Sequence, residues 1–514
     1  TEEFGATVDV PAESNNIPDQ ANQAIWVDIY VPKGTPAGEY SGKVTVEGDG
    51  MQATTMDLVL RVLPLALPDK SSWIVELNSY GGLAGYAGVD GRDVAKARQA
   101  EYRFYQIAKQ HRQMINALPY KQSGRLEPVP MTLEMQGNEL RVTDWSPFDD
   151  HYGPLLDGSV FTAKNGYVGP DAGGPISQMY THFFENWPLP LDTWYKDYAP
   201  MKTRLDFAAW AKKSRVLDEA FGEDYKRHYA GVVRQFAEHC QQKGWTQTIY
   251  HMFLNNKYYF KVPYFASQVT TTTGNGTSFW LLDEPVDYDD YMANAFFLGL
   301  MQQGLKSAKA PNVKFAYRTD VSQPHMTRGL WDNICNLWVC SGGAIRSGYV
   351  TTAVVRQKWI PDEEFWHYGG GPGLSAAPVD ALESFLNSWC SGSTGMLPYW
   401  TTNGGGNWLK PSEPNLAIYY TGRNYANSGR NYPGPFASLR IKTMRRAQQD
   451  LEYLHLLAGQ KGWDRALVRK AIAQYADDPS APVLNFGSLS AEKADELRRA
   501  VVATIQAGVQ PAGR

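Results

Sequence analysis

The chain has 514 residues, of which 43% are hydrophobic and 20% are charged, and its formal net charge is -4. This composition is that of a globular protein long enough for two or three domains. The sequence has no basic stripe and no run of 18 apolar residues, so it indicates neither a nucleic-acid partner nor a membrane span.

Residues 24–64 alternate between apolar and polar side chains, in "AIWVDIYVP", "GEYSGKVTVEG" and "MQATTMDLVLRVLPL". This alternation predicts β-strands separated by Gly and Pro turns. Three or four strands cannot close a sandwich core. We therefore predict a partial β-sandwich module over residues 1–66, completed by another chain segment or covered by the next domain, with a Pro-rich linker after it.

From residue 70 to 435, short apolar runs alternate with helical stretches. The predicted strands are "SSWIVELNS", "INALPY", "ISQMYTHFFENWP", "TQTIYHMFLNN", "TSFWLLDEP", "VKFAYRTDV", "NICNLWVCSGG", "EEFWHYGGG" and "TGMLPYWTTNG". Such alternation predicts an α/β fold with parallel strands. At this length a TIM (β/α)8-like barrel is the leading choice, and a doubly wound open sheet is the alternative. Residues 121–175 are a long insertion, and residues 436–514 form a helical tail that packs on the barrel.

The four cysteines are Cys240, Cys335, Cys340 and Cys390, and none lies in a CxxC pair, which argues against a zinc site. Cys335 and Cys340 share one predicted strand, where five steps separate them by about 17 Å. That distance is too long for a disulfide, so we expect buried thiols. We expect no metal and no cofactor; a calcium loop at "DEPVDYDD" would lack the glycine and the final Glu of an EF-hand.

Several predicted strands end in polar or aromatic residues, which in a barrel would meet at one rim. Asp283 and Glu284 are the clearest case, because two adjacent carboxylates end an apolar run. The acids that follow, Asp287, Asp289 and Asp290, are instead typical of a helix start. A rim of carboxylates, amides and aromatics fits a sugar pocket better than a nucleotide site.

Adjacency restricts what Asp283 and Glu284 can do. Most glycosidases place two carboxylates about 5 to 10 Å apart on opposite sides of the scissile bond. Consecutive strand residues point to opposite faces, so these two are poorly placed for that arrangement. They can divide the work instead: Glu284 protonates the leaving oxygen, and Asp283 orients a 2-acetamido group of the substrate that acts as the nucleophile.

The segments "FWLLDEP", "FFENWP", "FWHYGGGPG", "IWVDIYVPKGTPAGEYSGKVTV" and "YPGPFASLRIKTMRRAQQDLEYLHLL" together resemble glycoside hydrolase family 123 and its uncharacterised relatives. The resemblance implies a bacterial β-N-acetylgalactosaminidase-like enzyme with an amino-terminal β-sandwich, a TIM-like barrel and substrate-assisted retaining catalysis. Carried over by motif, Asp283 orients the acetamido group and Glu284 is the acid/base.

The resemblance also implies a carbohydrate partner, a secreted or periplasmic location in a bacterium, and aromatic strand ends that bind sugar. The expected substrate-binding residues are Glu185, Trp187, Asn255, Tyr317, Trp338, Trp366, Tyr368 and Trp400. Two other functions stay open: a glycosidase of this family that cleaves a different or longer polysaccharide, and a non-catalytic carbohydrate-binding scaffold. The retention of a repulsive Asp–Glu pair argues against the scaffold.

Overall fold

The computed structural model describes residues 2–3, 6–7, 26–80, 82–121, 125–126, 128–199, 204–255, 279–322, 324–342, 360, 362–373, 376–399, 418–420 and 435–508. The strands are β1 (Glu2–Glu3), β2 (Ala6–Thr7), β3 (Gly38–Val46), β4 (Thr54–Val62), β5 (Ile74–Ser79), β6 (Met114–Ala117), β7 (Tyr120–Lys121), β8 (Arg125–Leu126), β9 (Thr132–Gln136), β10 (Glu139–Asp144), β11 (Gln178–Tyr180), β12 (Ile249–Phe253), β13 (Lys314–Asp320), β14 (Leu337–Ser341), β15 (Glu364–Tyr368), β16 (Gly395–Leu397), β17 (Tyr419–Tyr420) and β18 (Phe436–Ala437). The helices are α1 (Leu83–Tyr86), α2 (Val94–Gln110), α3 (Ser146–Leu156), α4 (Leu191–Trp194), α5 (Arg204–Ala211), α6 (Leu217–Ala220), α7 (Glu223–Lys243), α8 (Tyr288–Ser307), α9 (Asp380–Cys390), α10 (Leu439–Lys461), α11 (Arg465–Ile472) and α12 (Ala491–Gly508).

Eight parallel strands form the central sheet, in the order β11-β12-β13-β14-β15-β16-β5-β6. Strands that follow one another in the chain are neighbours in the sheet, whereas a doubly wound sheet reverses its order at a switch point. The two end strands also meet, because the backbone N–H of Tyr180 donates to Asn116 Oδ1 at 2.6 Å. The sheet is therefore nearly closed and fits the predicted TIM-like barrel.

The predicted strand at "TSFWLLDEP" is wrong for its described residues, 279–285, which join no sheet. The backbone groups of Leu281 and Leu282 bond to side chains of α8, and the N–H of Glu284 bonds to the end of β13 without extending the sheet. The N–H of Leu281 donates to Asp290 Oδ1 at 2.9 Å, and Asn294 Nδ2 donates to the carbonyl of Leu282 at 3.1 Å. The other eight predicted barrel strands form β5, β6 and β11 to β16.

The helices cover the outside of the barrel, and α7 packs closely on α8. Gly304 of α8 permits this approach, since a Cβ there would lie 2.6 Å from Val233 Cβ. The 121–175 insertion contributes the β9–β10 hairpin, which leans on α7: the N–H of Leu140 donates to His228 Nδ1 at 3.3 Å. In the carboxy-terminal tail, α10 packs on α9 and α12.

The barrel interior divides into an apolar and a polar layer. Ala316, Leu337, Val339, Trp366 and Leu397 form a buried apolar cluster inside the barrel. Nearer the carboxyl ends of the strands, charged and amide side chains replace them. The four cysteines are buried free thiols, as predicted.

In the amino-terminal module, β3 and β4 form a two-stranded antiparallel hairpin whose side chains are mostly exposed. The strand predicted at "AIWVDIYVP" does not form in its described part, residues 26–32. The described residues do not show a β-sandwich. Asp28 ties the module to the tail, because it forms ion pairs with Lys442 and Arg445 of α10. Burial alone would raise the pKa of Asp28, but hydrogen bonds from these two cations lower it well below its usual range.

Candidate active site

Glu284 lies at the carboxyl end of the barrel, although its segment is not a strand. Its backbone N–H donates to the carbonyl of Asp320, the last residue of β13, at 3.1 Å. Its side chain meets Tyr368, the last residue of β15. Two barrel strands therefore fix Glu284 at the rim where active sites of such barrels lie.

The loop that carries Asp283 and Glu284 is held from below by α8. The Asp290 carboxylate accepts the N–H groups of Leu281, Val286 and Asp287, at 2.9, 3.2 and 3.1 Å. Asp287 and Asp290 also form a capping box at the start of α8, which confirms the predicted helix start. Glu284 itself has a φ of 61°, a left-handed backbone conformation that residues other than Gly rarely adopt. Such strain is concentrated at functional sites.

The Glu284 carboxyl has three hydrogen-bonding neighbours. Its Oε2 accepts the backbone N–H of Ser322 at 2.7 Å. Its Oε1 lies 2.8 Å from Ser322 Oγ and 2.5 Å from the Tyr368 hydroxyl. These two hydroxyls are themselves 2.6 Å apart. Burial, followed by the nearby Glu284 carboxylate, raises the pKa of Tyr368 well above its usual range, so the phenol keeps its proton.

Asp283 is buried, with 4% of its surface exposed. Its charge acts on Tyr120, whose pKa is raised first by burial, then by Glu185, and further by Asp283. The Tyr120 hydroxyl accepts the N–H of Asn255 at 2.9 Å and donates to the carbonyl of Phe253 at 2.8 Å. Asp283 therefore lies close enough to Tyr120 for its charge to act there, as the charge of Asp320 also does.

A buried ion cluster lies beneath this pair. Arg318 of β13 is bidentate to Asp320, with Nε–Oδ1 at 2.7 Å and Nη2–Oδ2 at 3.0 Å, and its Nη1 lies 2.6 Å from Glu76 Oε1. Glu76 also accepts from the Tyr180 hydroxyl at 3.0 Å and from Asn116 Nδ2 at 3.0 Å. The cluster links β5, β6, β11 and β13, so it fixes the strand ends on which the rim is built.

His251 of β12 borders this cluster as a neutral group. Burial, and then the charge of Arg318, hold the pKa of His251 well below its usual range. Its ring hydrogen-bonds Gln178 of β11 and lies close to the indole of Trp366. His251 therefore serves the packing of the barrel interior and carries no charge to the rim.

Glu185 lies in the connection after β11, at the same end of the barrel, and is fully buried. Within the described part of the chain, neither of its carboxylate oxygens has a hydrogen-bond partner in another residue. Burial raises the pKa of Glu185 to about 8. The carboxyl is therefore mostly protonated at neutral pH. Asn255 and Trp187 accompany it: Asn255 bonds Tyr120, and Trp187, which is 8% exposed, packs on Phe183.

Two of the expected sugar-binding residues lie on the outer face of the sheet. Tyr317 packs near Phe315, and Trp338 stacks on Phe365 in a buried cluster with Trp331. Side chains alternate between faces along a strand, so Arg318 points inward where Tyr317 points outward. The structure does not bring Tyr317 or Trp338 to the rim with Asp283 and Glu284.

Trp366 fills the interior of the barrel below the rim and is fully buried. Its Nε1 donates to Glu364 Oε2 at 3.1 Å, and Gly395 of β16 leaves the space for the indole, since a Cβ there would lie 2.8 Å from Nε1. Tyr368, two residues later on the same face, does reach the rim. Trp400 lies outside the described residues.

The sequence did not single out Ser322, Tyr120 or Glu76 as site residues. Glu76 offered a signal, because it is a charge inside the apolar run "WIVELNS". Tyr120 also offered a signal, because it is the aromatic last residue of the predicted strand "INALPY", whereas Ser322 offered none, since it comes two residues after β13 ends. Their places depend on how loops fold over the rim.

A parallel α/β barrel with carboxylates and hydroxyls gathered where its strands end has the arrangement of the barrel enzymes. Comparison with protein-family models indicates which family of barrel enzymes the chain resembles. Residues 3–48 match the family model described as the glycoside hydrolase 123 N-terminal domain, which supports membership of the chain in glycoside hydrolase family 123. No curated protein matches the chain. Within the described residues, no helix is long and apolar enough to cross a membrane.

Proposed function

We propose that this protein is a glycoside hydrolase that cleaves β-linked N-acetylgalactosamine by substrate-assisted, retaining catalysis. The observation that carries the proposal is the placement of Asp283 and Glu284. Both lie on one short loop at the rim of the barrel, where Glu284 Oε1 contacts the Tyr368 hydroxyl and the charge of the buried Asp283 acts on Tyr120. A sugar bound at this rim would find the Glu284 carboxyl and the neighbouring Asp283 carboxyl on the same loop, one for each of the two proposed roles.

In the first step, the acetamido carbonyl oxygen of the substrate attacks C1 while the bond from C1 to the leaving oxygen breaks. The proton of Glu284 moves to that oxygen, and Asp283 accepts the acetamido N–H and stabilises the positive charge of the cyclic oxazolinium. In the second step, a water oxygen attacks C1 and the C1–acetamido oxygen bond breaks. The proton of that water moves to Glu284, which restores the starting state with retention at C1.

The rim supports an acid role for Glu284 in a further way. Tyr368 and Ser322 hold the carboxyl at 2.5 to 2.8 Å, so its orientation is fixed before substrate binds. Such preorganisation lowers the cost of reaching the transition state. We also propose a secreted or periplasmic location, since the expected substrates are bacterial or host glycans.

The test compares aryl β-glycosides of N-acetylgalactosamine with those of galactose, which differ only in the 2-substituent. Substrate assistance requires the acetamido group, so the galactoside should be cleaved at least 1,000-fold more slowly, a difference on the scale of losing a catalytic group. A thiazoline analogue of the cyclic intermediate should inhibit more tightly than the free sugar, as expected for a site complementary to the transition state.

One observation favours a second candidate, a glycosidase that acts on sugars without the acetamido group. Asp320 places another carboxylate at the rim, with 15% of its side chain exposed. A conventional mechanism needs a second carboxylate besides the acid. Equal cleavage of the two aryl glycosides, together with a covalent sugar trapped on Asp320, would favour this candidate over substrate assistance.

A further inference from the structure

Three oxygens at the rim form a closed set of contacts, which we call the three-oxygen ring: Glu284 Oε1, Ser322 Oγ and the Tyr368 hydroxyl oxygen. Their separations are 2.8 Å, 2.5 Å and 2.6 Å, so each oxygen is within hydrogen-bond distance of both others. Three hydrogen bonds need three hydrogens. Ser322 and Tyr368 supply one each.

The third hydrogen can come only from the carboxyl within this ring. If Glu284 is ionised, both hydroxyls can donate to Oε1, but Ser322 Oγ and the Tyr368 oxygen are then left 2.6 Å apart with no hydrogen between them. If Glu284 is protonated on Oε1, every oxygen donates once and accepts once. The ring is complete only in the protonated state.

The other carboxyl oxygen agrees with this assignment. Oε2 accepts the backbone N–H of Ser322 at 2.7 Å, as the carbonyl oxygen of a protonated carboxyl can. The proton is therefore directed to Oε1, the oxygen inside the ring. Tyr368 cannot take over as the acid, because burial raises the pKa of its hydroxyl well above its usual range and keeps its own proton bound.

We propose that Ser322 and Tyr368 are positioning residues that hold the catalytic proton on Glu284 Oε1 until substrate arrives. This inference rests on the proposed acid role of Glu284. It also changes the role expected for Tyr368, from a sugar-binding residue to a partner of the acid. After the proton leaves, the two hydroxyls both donate to Oε1 and stabilise the carboxylate until water returns a proton.

The proposal is tested by the direction in which Tyr368→Phe shifts the pH dependence of kcat/KM. If the ring favours the protonated carboxyl, Tyr368→Phe removes the need for a third hydrogen, and the basic limb of the kcat/KM profile moves to lower pH. If the hydroxyls merely donate to an ionised carboxylate, the same variant moves that limb to higher pH. We expect a shift of about one pH unit downward, the size expected when one hydrogen bond that favours one protonation state is lost.

Matched variants separate this effect from a general loss of packing. Ser322→Ala keeps the backbone N–H and should shift the limb in the same direction as Tyr368→Phe, whereas Ser322→Thr keeps a hydroxyl and should restore the wild-type profile. Tyr250→Phe is the control: it removes a buried hydroxyl that bonds the carbonyl of Trp245 at 2.8 Å, away from the rim. It should leave the limb unmoved. If the basic limb of the kcat/KM profile is unchanged or moves to higher pH in Tyr368→Phe, the proposed role of the three-oxygen ring is wrong.

An infrared measurement tests the ring without requiring activity. Subtracting the spectrum of Glu284→Gln isolates the C=O band of the protonated Glu284 carboxyl, and its pH midpoint should move downward in Tyr368→Phe. If wild type cleaves no glycoside but the band behaves this way, the proposed function fails and the ring stands. If wild type is active and the midpoint does not move downward, the ring fails and the proposed function stands.

Discussion

The backbone N–H of Glu284 donates to the backbone carbonyl of Asp320, with an N···O distance of 3.1 Å. This bond joins a loop to the end of β13 without making the loop a strand. It also places the Glu284 side chain over the rim, facing Ser322 and Tyr368, while α8 holds the loop from the other side. Asp283 and Glu284, the proposed catalytic pair, are thus carried by a loop whose position two rigid elements define.

Substitution of each member of the pair should separate their roles. Glu284→Gln removes the proton donor and should lower kcat/KM by about 100 to 10,000-fold on a substrate with a poor leaving group. A dinitrophenyl leaving group needs little protonation, so it should recover much of that loss. Asp283→Asn should lose activity on both substrates. Equal recovery in the two variants would contradict the division of labour between Asp283 and Glu284.

The sequence predicted the barrel well because the information for it is local. Strands such as β5 and β13 are short apolar runs between turn signals, and α7, α8 and α10 have helical spacing of their apolar residues. The one barrel strand that failed, "FWLLDEP", is equally apolar. Its described residues form a loop that is buried against α8 instead, and apolar composition alone does not distinguish these two kinds of burial.

The site was predicted only in part, because the sequence locates strand ends but not the direction of each side chain or the path of the loops. Polar residues that end a strand on its inward face, such as Tyr368, can be found from the sequence. The inward or outward direction of a residue depends on register, and Tyr317 and Trp338 show that a shift of one position moves a side chain to the other face. Ser322 lies beyond its strand, so only the folded loop brings it to Glu284.

The side chain of Asp290 should matter for activity although it lies beneath the rim. It accepts three backbone N–H groups of the loop that carries Asp283 and Glu284, so Asp290→Ala would leave them unpaired and release the loop. We expect a loss of stability of about 1 to 3 kcal/mol and a lower kcat with a smaller change in KM. The neighbouring Asp289 is exposed in the first turn of α8, so Asp289→Ala should cost less than about 1 kcal/mol and leave kcat unchanged. Equal effects of the two substitutions would argue against a role of Asp290 in holding the loop.

Removal of the central cation of the buried cluster should destabilise the barrel. Arg318→Met leaves Glu76 buried without its ion pair and Asp320 without its bidentate partner. Loss of one partner of a buried ion pair typically costs about 3 to 5 kcal/mol, to be measured by chemical denaturation. Adding Glu76→Gln to this variant removes the uncompensated charge and should recover part of the loss. No recovery in the double variant would show that Arg318 acts through packing, for example on the rings of Tyr180 and Phe253.

The pH dependence of stability should carry the signature of Glu185. Burial raises the pKa of this carboxyl to about 8, above its ordinary value of 4.5, so between these two pH values the folded protein binds the proton more tightly than the unfolded chain does. The contribution of Glu185 to the free energy of unfolding should therefore be largest below about pH 4.5. It should fall as pH rises to about 8, by roughly 1.4 kcal/mol per unit of pKa difference.

The variant Glu185→Gln cannot ionise. It should match wild type near pH 4.5 and be more stable than wild type at pH 8.5, when both are unfolded by urea at each pH. The hydroxyl groups of Tyr120, Tyr225 and Tyr229 near this carboxyl stay protonated over the same pH range, because burial raises the pKa of each hydroxyl. A wild-type and a variant curve that remain parallel from pH 4.5 to 8.5 would show that Glu185 ionises normally in the folded protein, and that its side chain has a polar partner or solvent nearby.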